Sequence, residues 1–336
     1  LDFCDVNHYE MDNKKTAEAL TMGAHERLGA DSPVALLSHY LLRDIFTLAR
    51  KQPFLYALGA WHFNNIIHTT MMRYDVAEDK WDSTSVAHSS WERIGCTVTA
   101  INDRLYVLGG RDNAYHYLSA MEVYDPQKNT WAMVTPMPTF RTVFSATVVS
   151  DHLFALGGWT AAGAMSNVEQ YDPASDTWTI EQPLPNNVSS YAATAVGTRI
   201  FCFGGRDLWA PTLDVKCYDT KAGTWSKVSP MPCPRIFHTA TAIGTRVYVT
   251  GGLGTMLGGS NKLPNNYYYD TAANAWAELP PTIGNICGTT ASAADGKLFI
   301  AGHGNAQCYD PATQTWAALA PLTFDPFCLQ MSTLYV

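Results

Sequence analysis

Short apolar runs rich in β-branched and aromatic residues recur along the chain, and each ends in small residues. LYALGA (55–60), LYVLGG (105–110), LFALGG (153–158), IFCFGG (200–205), VYVTGG (247–252) and LFIAGH (298–303) begin 50, 48, 47, 47 and 51 residues apart. Runs of this composition, bounded by glycine, predict buried strands. The terminal glycines carry no side chain, so another element can approach closely. One more strand is predicted ahead of five of these runs: GCTVTAI (95–101), VFSATVV (143–149), YAATAV (191–196), HTATAI (238–243) and CGTTASA (287–293).

Downstream of each run stands a Tyr, then an Asp, and a Trp after six intervening residues in all. The copies are YDVAEDKW (74–81), YDPQKNTW (124–131), YDPASDTW (171–178), YDTKAGTW (218–225), YDTAANAW (269–276) and YDPATQTW (309–316). The Tyr ends a third strand, the Asp opens a turn, and the Trp sits early on a fourth strand. A fixed unit at this period is the mark of a repeat fold. Four strands per unit, six units, a glycine doublet, a Tyr and a Trp together resemble the Kelch repeat, over residues 54–336. The resemblance implies an all-β, six-bladed Kelch β-propeller with four-stranded blades.

The ends of the chain bear on how the ring closes. The first unit lacks its own first strand, and the last is followed by PFCLQMSTLYV (326–336). Counted from the repeat Trp, residues 327–335 fall where 142–150 fall in the third unit. The C-terminal strand is therefore expected to complete the first blade and remove the free sheet edges. Residues 1–53 read differently, as a short helical segment or linker ahead of the propeller at 54–336. Ser32 is an N-cap with Pro33 at the first helical position. Leu36, Leu37, Tyr40, Leu41, Ile45, Phe46 and Leu48 make an apolar stripe, and Pro53 stops the helix. The helix is read as packing on the propeller or on a preceding domain, or else as the tail of an upstream helical domain; BTB–BACK–Kelch proteins place such a domain there, and nothing in 1–53 matches its motif closely enough to name it.

Charged residues are only 15% of the chain, and the net charge is −8. There is no Lys/Arg run, which argues against nucleic acid as a partner. No stretch of about 18 apolar residues predicts a membrane-spanning helix. The eight cysteines fall mainly in strands, without zinc-type spacing, and read as reduced thiols of a cytoplasmic protein.

Strand alternation puts the loops after the glycine runs and the loops after the Trp strands on one face. That face collects Trp61, His62, Arg93, Arg111, Tyr115, Arg141, Trp159, Arg206, Trp209, Arg235 and His303. Aromatics and arginines are the side chains that protein interfaces favour. These eleven residues are the expected partner-binding set, and the arginines are expected to make the face locally positive, suited to an acidic segment. Arg93, Arg141 and Arg235 hold equivalent repeat positions and so also admit a structural role. No catalytic, phosphate-cradling or zinc-protease motif is present. No cofactor or metal is expected, and the chain reads as a non-enzyme. The alternative is a propeller oxidase or other metal enzyme, for which His62, His116, His238 and His303 are the candidate ligands. The resemblance implies a protein-interaction module with either of two jobs. One is substrate recognition for a cullin-type ubiquitin ligase, as in BTB–Kelch adaptors. The other is binding or crosslinking of actin filaments, as in scruin, with a cytoskeletal location.

Overall fold

The computed structural model describes residues 52–63, 66–207, 210–254, 263, 265–283, 290–302, 304–322 and 328–336. The helical reading of 1–53 lies outside these, except that Pro53 already pairs with Tyr335 in a strand. Two compact units divide at Gln52. The second consists of six four-stranded antiparallel sheets and one two-stranded hairpin, Arg206–Asp207 with Ala210–Pro211.

Five blades are sequential meanders. Their innermost strands are Thr97–Ile101, Ser145–Val149, Ala192–Val196, Thr239–Ile243 and Thr290–Ala294, in blades 2 to 6. Blade 1 takes its innermost strand from the other end of the chain. Cys328–Tyr335 pairs antiparallel with Pro53–Phe63, from Pro53↔Tyr335 to Ala60↔Cys328. The closure read from the repeat register is thus present.

The Tyr–Trp unit explains how blades join. Each repeat Trp donates its Nε1–H to a carbonyl of the preceding blade: Trp81 to Ala320, Trp131 to Ala87, Trp178 to Thr135, Trp225 to Gln182, Trp276 to Ser229 and Trp316 to Pro280. All six distances lie between 2.8 and 3.1 Å. In four blades the same inter-blade point is held twice. Backbone N–H groups of Ala320, Ala87, Thr135 and Ser229 donate to the side chains of Asp79, Asn129, Asp176 and Asn274. Those four residues also accept the hydroxyl of their own repeat Tyr, five positions earlier. They have φ between +49° and +53°, a region that Asn and Asp tolerate better than most side chains. The Asp after each Tyr acts within the turn. Its Oδ1 accepts the turn's backbone N–H groups, as Asp219 does from Lys221 and Ala222.

The Tyr and Trp rings pack against each other within the blade at centroid distances of 4.9–5.1 Å, tilted in five blades and stacked in the Tyr218–Trp225 pair. The apolar core is correspondingly split into clusters between neighbouring blades. One joins Tyr74, Trp81 and Met72 of blade 1 to Phe299 and Cys308 of blade 6 across the closure. Trp178→Phe keeps the ring and removes the bond to Thr135; it is expected to lower unfolding stability by about 1 kcal/mol. Trp178→Ala is expected to cost about 3 kcal/mol. Urea denaturation measures both. A Phe variant as stable as the unaltered chain would mean the inter-blade bond contributes nothing.

Candidate recognition face

The two loop families predicted to share a face do so. Isolated bridges pair Ile94 with Arg111, Thr142 with Trp159, Ser189 with Arg206 and Ile236 with Leu253. In each pair one residue precedes the innermost strand and the other follows the glycine doublet. The doublet allows this approach. A Cβ on Gly157 would lie 2.9 Å from the Val188 carbonyl of the next blade and 3.0 Å from the Tyr191 hydroxyl. One on Gly204 would lie 2.8 Å from the Arg235 carbonyl. The second glycine's N–H crosses to the next blade, Gly110 to Arg141, Gly158 to Val188 and Gly205 to Arg235.

The three repeat arginines need correction as surface groups. Arg93, Arg141 and Arg235 are 0% exposed. Arg141 donates to the carbonyls of Gly157 and Asn167, and Arg235 to those of Gly251 and Asn265. Arg93 hydrogen-bonds Glu122, and Arg141 lies 2.6 Å from Glu169 as an ion pair without hydrogen-bond alignment. Burial pulls both of these guanidinium groups below their ordinary pKa, and the carboxylates oppose it. The pairing differs among blades: blade 5 keeps Arg235 but carries Tyr267 at the glutamate's place. Where blade 4 has Val188 in place of the arginine, its third strand carries Lys216 in place of the glutamate. These arginines tie the face together from inside.

Arg111, Tyr115, Trp159 and Arg206 remain accessible. The Arg111 guanidinium lies 4.5 Å from the Tyr115 ring centroid, and that of Arg206 lies 4.7 Å from Trp159 of the neighbouring blade. Neither has a carboxylate partner among the described residues. Tyr115 is 68% exposed. Trp209 and His303 lie outside the described residues, and the side chains of Trp61 and His62 are not described.

Arg111, Trp159 and Arg206 converge on a recess of about 350 Å³ with Ile94, Tyr117, Thr142, Val143, Ser189, Ser190 and Phe237. Among the described residues this lining holds two arginines and no carboxylate. Tyr117, Val143 and Ser190 were absent from the sequence-derived set. For Val143 and Ser190 the only sequence signal is the place two after the repeat arginine or the Val188 that replaces it, held by Gly95 in blade 2 and Phe237 in blade 5. These residues form a backbone girdle: Val143 N–H donates to Gly95 O, Ser190 N–H to Val143 O and Phe237 N–H to Ser190 O. The axial channel of about 250 Å³ is lined by all six innermost strands. One hydroxyl per blade stands at a common level there, on Thr99, Thr147, Thr194, Thr241, Ser292 and Ser332.

Residues 55–313 match the family model described as the Attractin/LZTR1 beta-propeller. The chain belongs to this family of Kelch-repeat propellers. Its Kelch repeats are also similar to those of named relatives. The chain is 30% identical to Kelch-like protein 40 of Mus musculus over 128 residues, 37% of this chain and 20% of that protein. It is 32% identical to alpha-scruin of Limulus polyphemus over 92 residues, 27% of this chain and 10% of that protein. Against Kelch repeat and BTB domain-containing protein 6 of Homo sapiens it is 29% identical over 154 residues, 46% of this chain and 19% of that protein. Each match spans a fifth or less of the relative's length.

Histidines do not assemble a metal centre among the described residues, where no group of three or more His, Cys, Asp or Glu side chains converges. His116 pairs with Asp112 at 3.1 Å. His238 of the Kelch propeller is buried at the channel wall, and neither ring nitrogen makes an aligned hydrogen bond. Burial first, then Arg235, pushes its pKa down from 6.5 to about 3. The unfolded chain binds this proton near pH 6.5 and the folded chain only near pH 3, so stability falls as pH drops through that window. Phe144 fills the equivalent place in blade 3, so His238→Phe is expected to fold. The variant's advantage over the unaltered chain should grow on acidification by up to about 1.4 kcal/mol per pH unit. Urea titrations at several pH values measure it, and parallel pH profiles would contradict it.

Proposed function

We propose that the chain is a protein-recognition module whose loop face captures an acidic segment of a partner protein. The observation that carries this is the recess flanked by Arg111 and Arg206. Both guanidinium groups are pre-positioned on aromatic rings, and neither meets a carboxylate among the described residues. Arginine forms paired hydrogen bonds with carboxylates, and aromatic rings supply desolvated contact area. Trp159 and Tyr115 belong to the same proposed set, with Trp61, His62, Trp209 and His303 assigned to its rim from sequence. The role is binding without catalysis.

Kelch relatives support the general reading. Both jobs implied by the Kelch resemblance, ligase substrate recognition and actin binding, are compatible with such a face. Among the described residues, Cys202, Cys217, Cys233 and Cys308 form no disulfide, which suits a reducing, cytoplasmic setting. Burial holds the Cys308 thiol up to about 11, so it is inert at neutral pH.

Changing Arg111 and Arg206 together to Glu is expected to abolish partner capture and leave the melting temperature within a degree or two, because surface substitutions shift stability by only about 0.5 kcal/mol. Co-sedimentation with actin filaments and pull-down of a candidate ligase substrate read the two jobs separately. Binding in either assay should weaken with added salt. A folded double variant that binds as tightly as the unaltered chain would place recognition on another surface.

A further inference from the structure

Four consecutive blades put one residue each at the same point of the recess: Gly95, Val143, Ser190 and Phe237. All four have left-handed backbone, with φ of +64°, +50°, +57° and +53°. The girdle of inter-blade hydrogen bonds imposes this conformation. Glycine adopts it freely, and Gly95 shows that the frame needs no side chain there. A β-branched residue in this region is an outlier, and a bulky aromatic is strained. The side chains do not repay that strain inside the blades. Neither Val143 nor Phe237 belongs to any of the six apolar clusters. Phe237 is 42% exposed. Strain retained at a surface point that glycine satisfies points to function.

Resting on the recognition reading above, we propose that Val143 and Phe237, with Ser190 between them, are specificity-determining residues. They form the floor of the recess and select an apolar side chain carried by the acidic segment. Charge complementarity fixes the partner's chemistry: the lining offers two arginines and no carboxylate. The recess volume of about 350 Å³ is at the low end of ligand pockets, about 300–1,000 Å³. It suits one apolar side chain flanked by Asp or Glu, with the carboxylates meeting Arg111 and Arg206.

The test uses the whole 336-residue chain and labelled pentapeptides. Each has Glu at its second and fourth places and Leu, Phe, Ala or Lys between them; a control replaces both Glu by Gln. Fluorescence anisotropy reads binding up to about 1 mM. The unaltered chain is expected to bind the Leu or Phe probe at least about tenfold tighter than the Ala, Lys and Gln probes. Val143→Gly and Phe237→Gly are expected to lose that preference by at least about tenfold while melting at the same temperature or higher. Either glycine variant retaining the preference would overturn the proposal. A lower melting temperature would assign the side chain to blade packing and also overturn it. So would an unaltered chain that binds no probe or does not discriminate. The Arg111→Glu/Arg206→Glu variant, run in parallel, separates the two readings. If it still binds the Leu probe, the recognition reading fails. If it loses the probe while the glycine variants keep their preference, only the floor assignment fails.

Discussion

Six radial sheets make a stable disc only if every sheet is bound to both neighbours, and here the tryptophan indole carries that constraint. Its ring packs on the blade's own Tyr, and its N–H bonds a carbonyl of the blade before. The bond from Trp81 to Ala320 obeys the same rule across the point where the chain's ends meet. Closure by Cys328–Tyr335 is therefore one instance of a general inter-blade contact. No special seam is needed, and the sheet edges that invite aggregation are removed.

The same frame sorts the arginines into two classes. Arg93, Arg141 and Arg235 enter the blades and bond carbonyls left exposed by the glycine turns. Buried cations are tolerable because carboxylates or carbonyls enclose them, and removing one partner leaves the other stranded. Arg111 and Arg206 sit one step outward, on loops bridged to Ile94 and Ser189; Ile94 follows the buried Arg93, whereas Ser189 follows Val188. The face is less positive than a count of its arginines implies, because Glu122 and Glu169 accompany two of the buried ones.

Strand count, blade count, closure and the shared loop face were all legible in the sequence, because each rests on a spacing that repeats six times. The role of the repeat Trp as a structural group was also legible. Its inter-blade donor was not, since hydrogen-bond partners 36 to 47 residues away, and 239 across the closure, follow only from the blade geometry. The burial of Arg93, Arg141 and Arg235 was half-legible: equivalence across units signalled structure, and for Arg93 and Arg141 the Glu on the third strand of the same blade was the missing clue. Val143 and Ser190 gave no signal of their own. An ordinary valine beside an arginine looks like strand, and only its backbone angle reveals a constrained position.

The division between framing and recognising arginines is most directly tested by truncating each of the five to Ala and measuring unfolding free energy by urea denaturation. Arg93→Ala, Arg141→Ala and Arg235→Ala are predicted to lose about 3–5 kcal/mol, from buried partners left unpaired. Arg111→Ala and Arg206→Ala should lose no more than about 1 kcal/mol, the worth of an exposed cation–π contact. Losses of similar size at all five positions, or larger losses at the two loop arginines, would contradict the account.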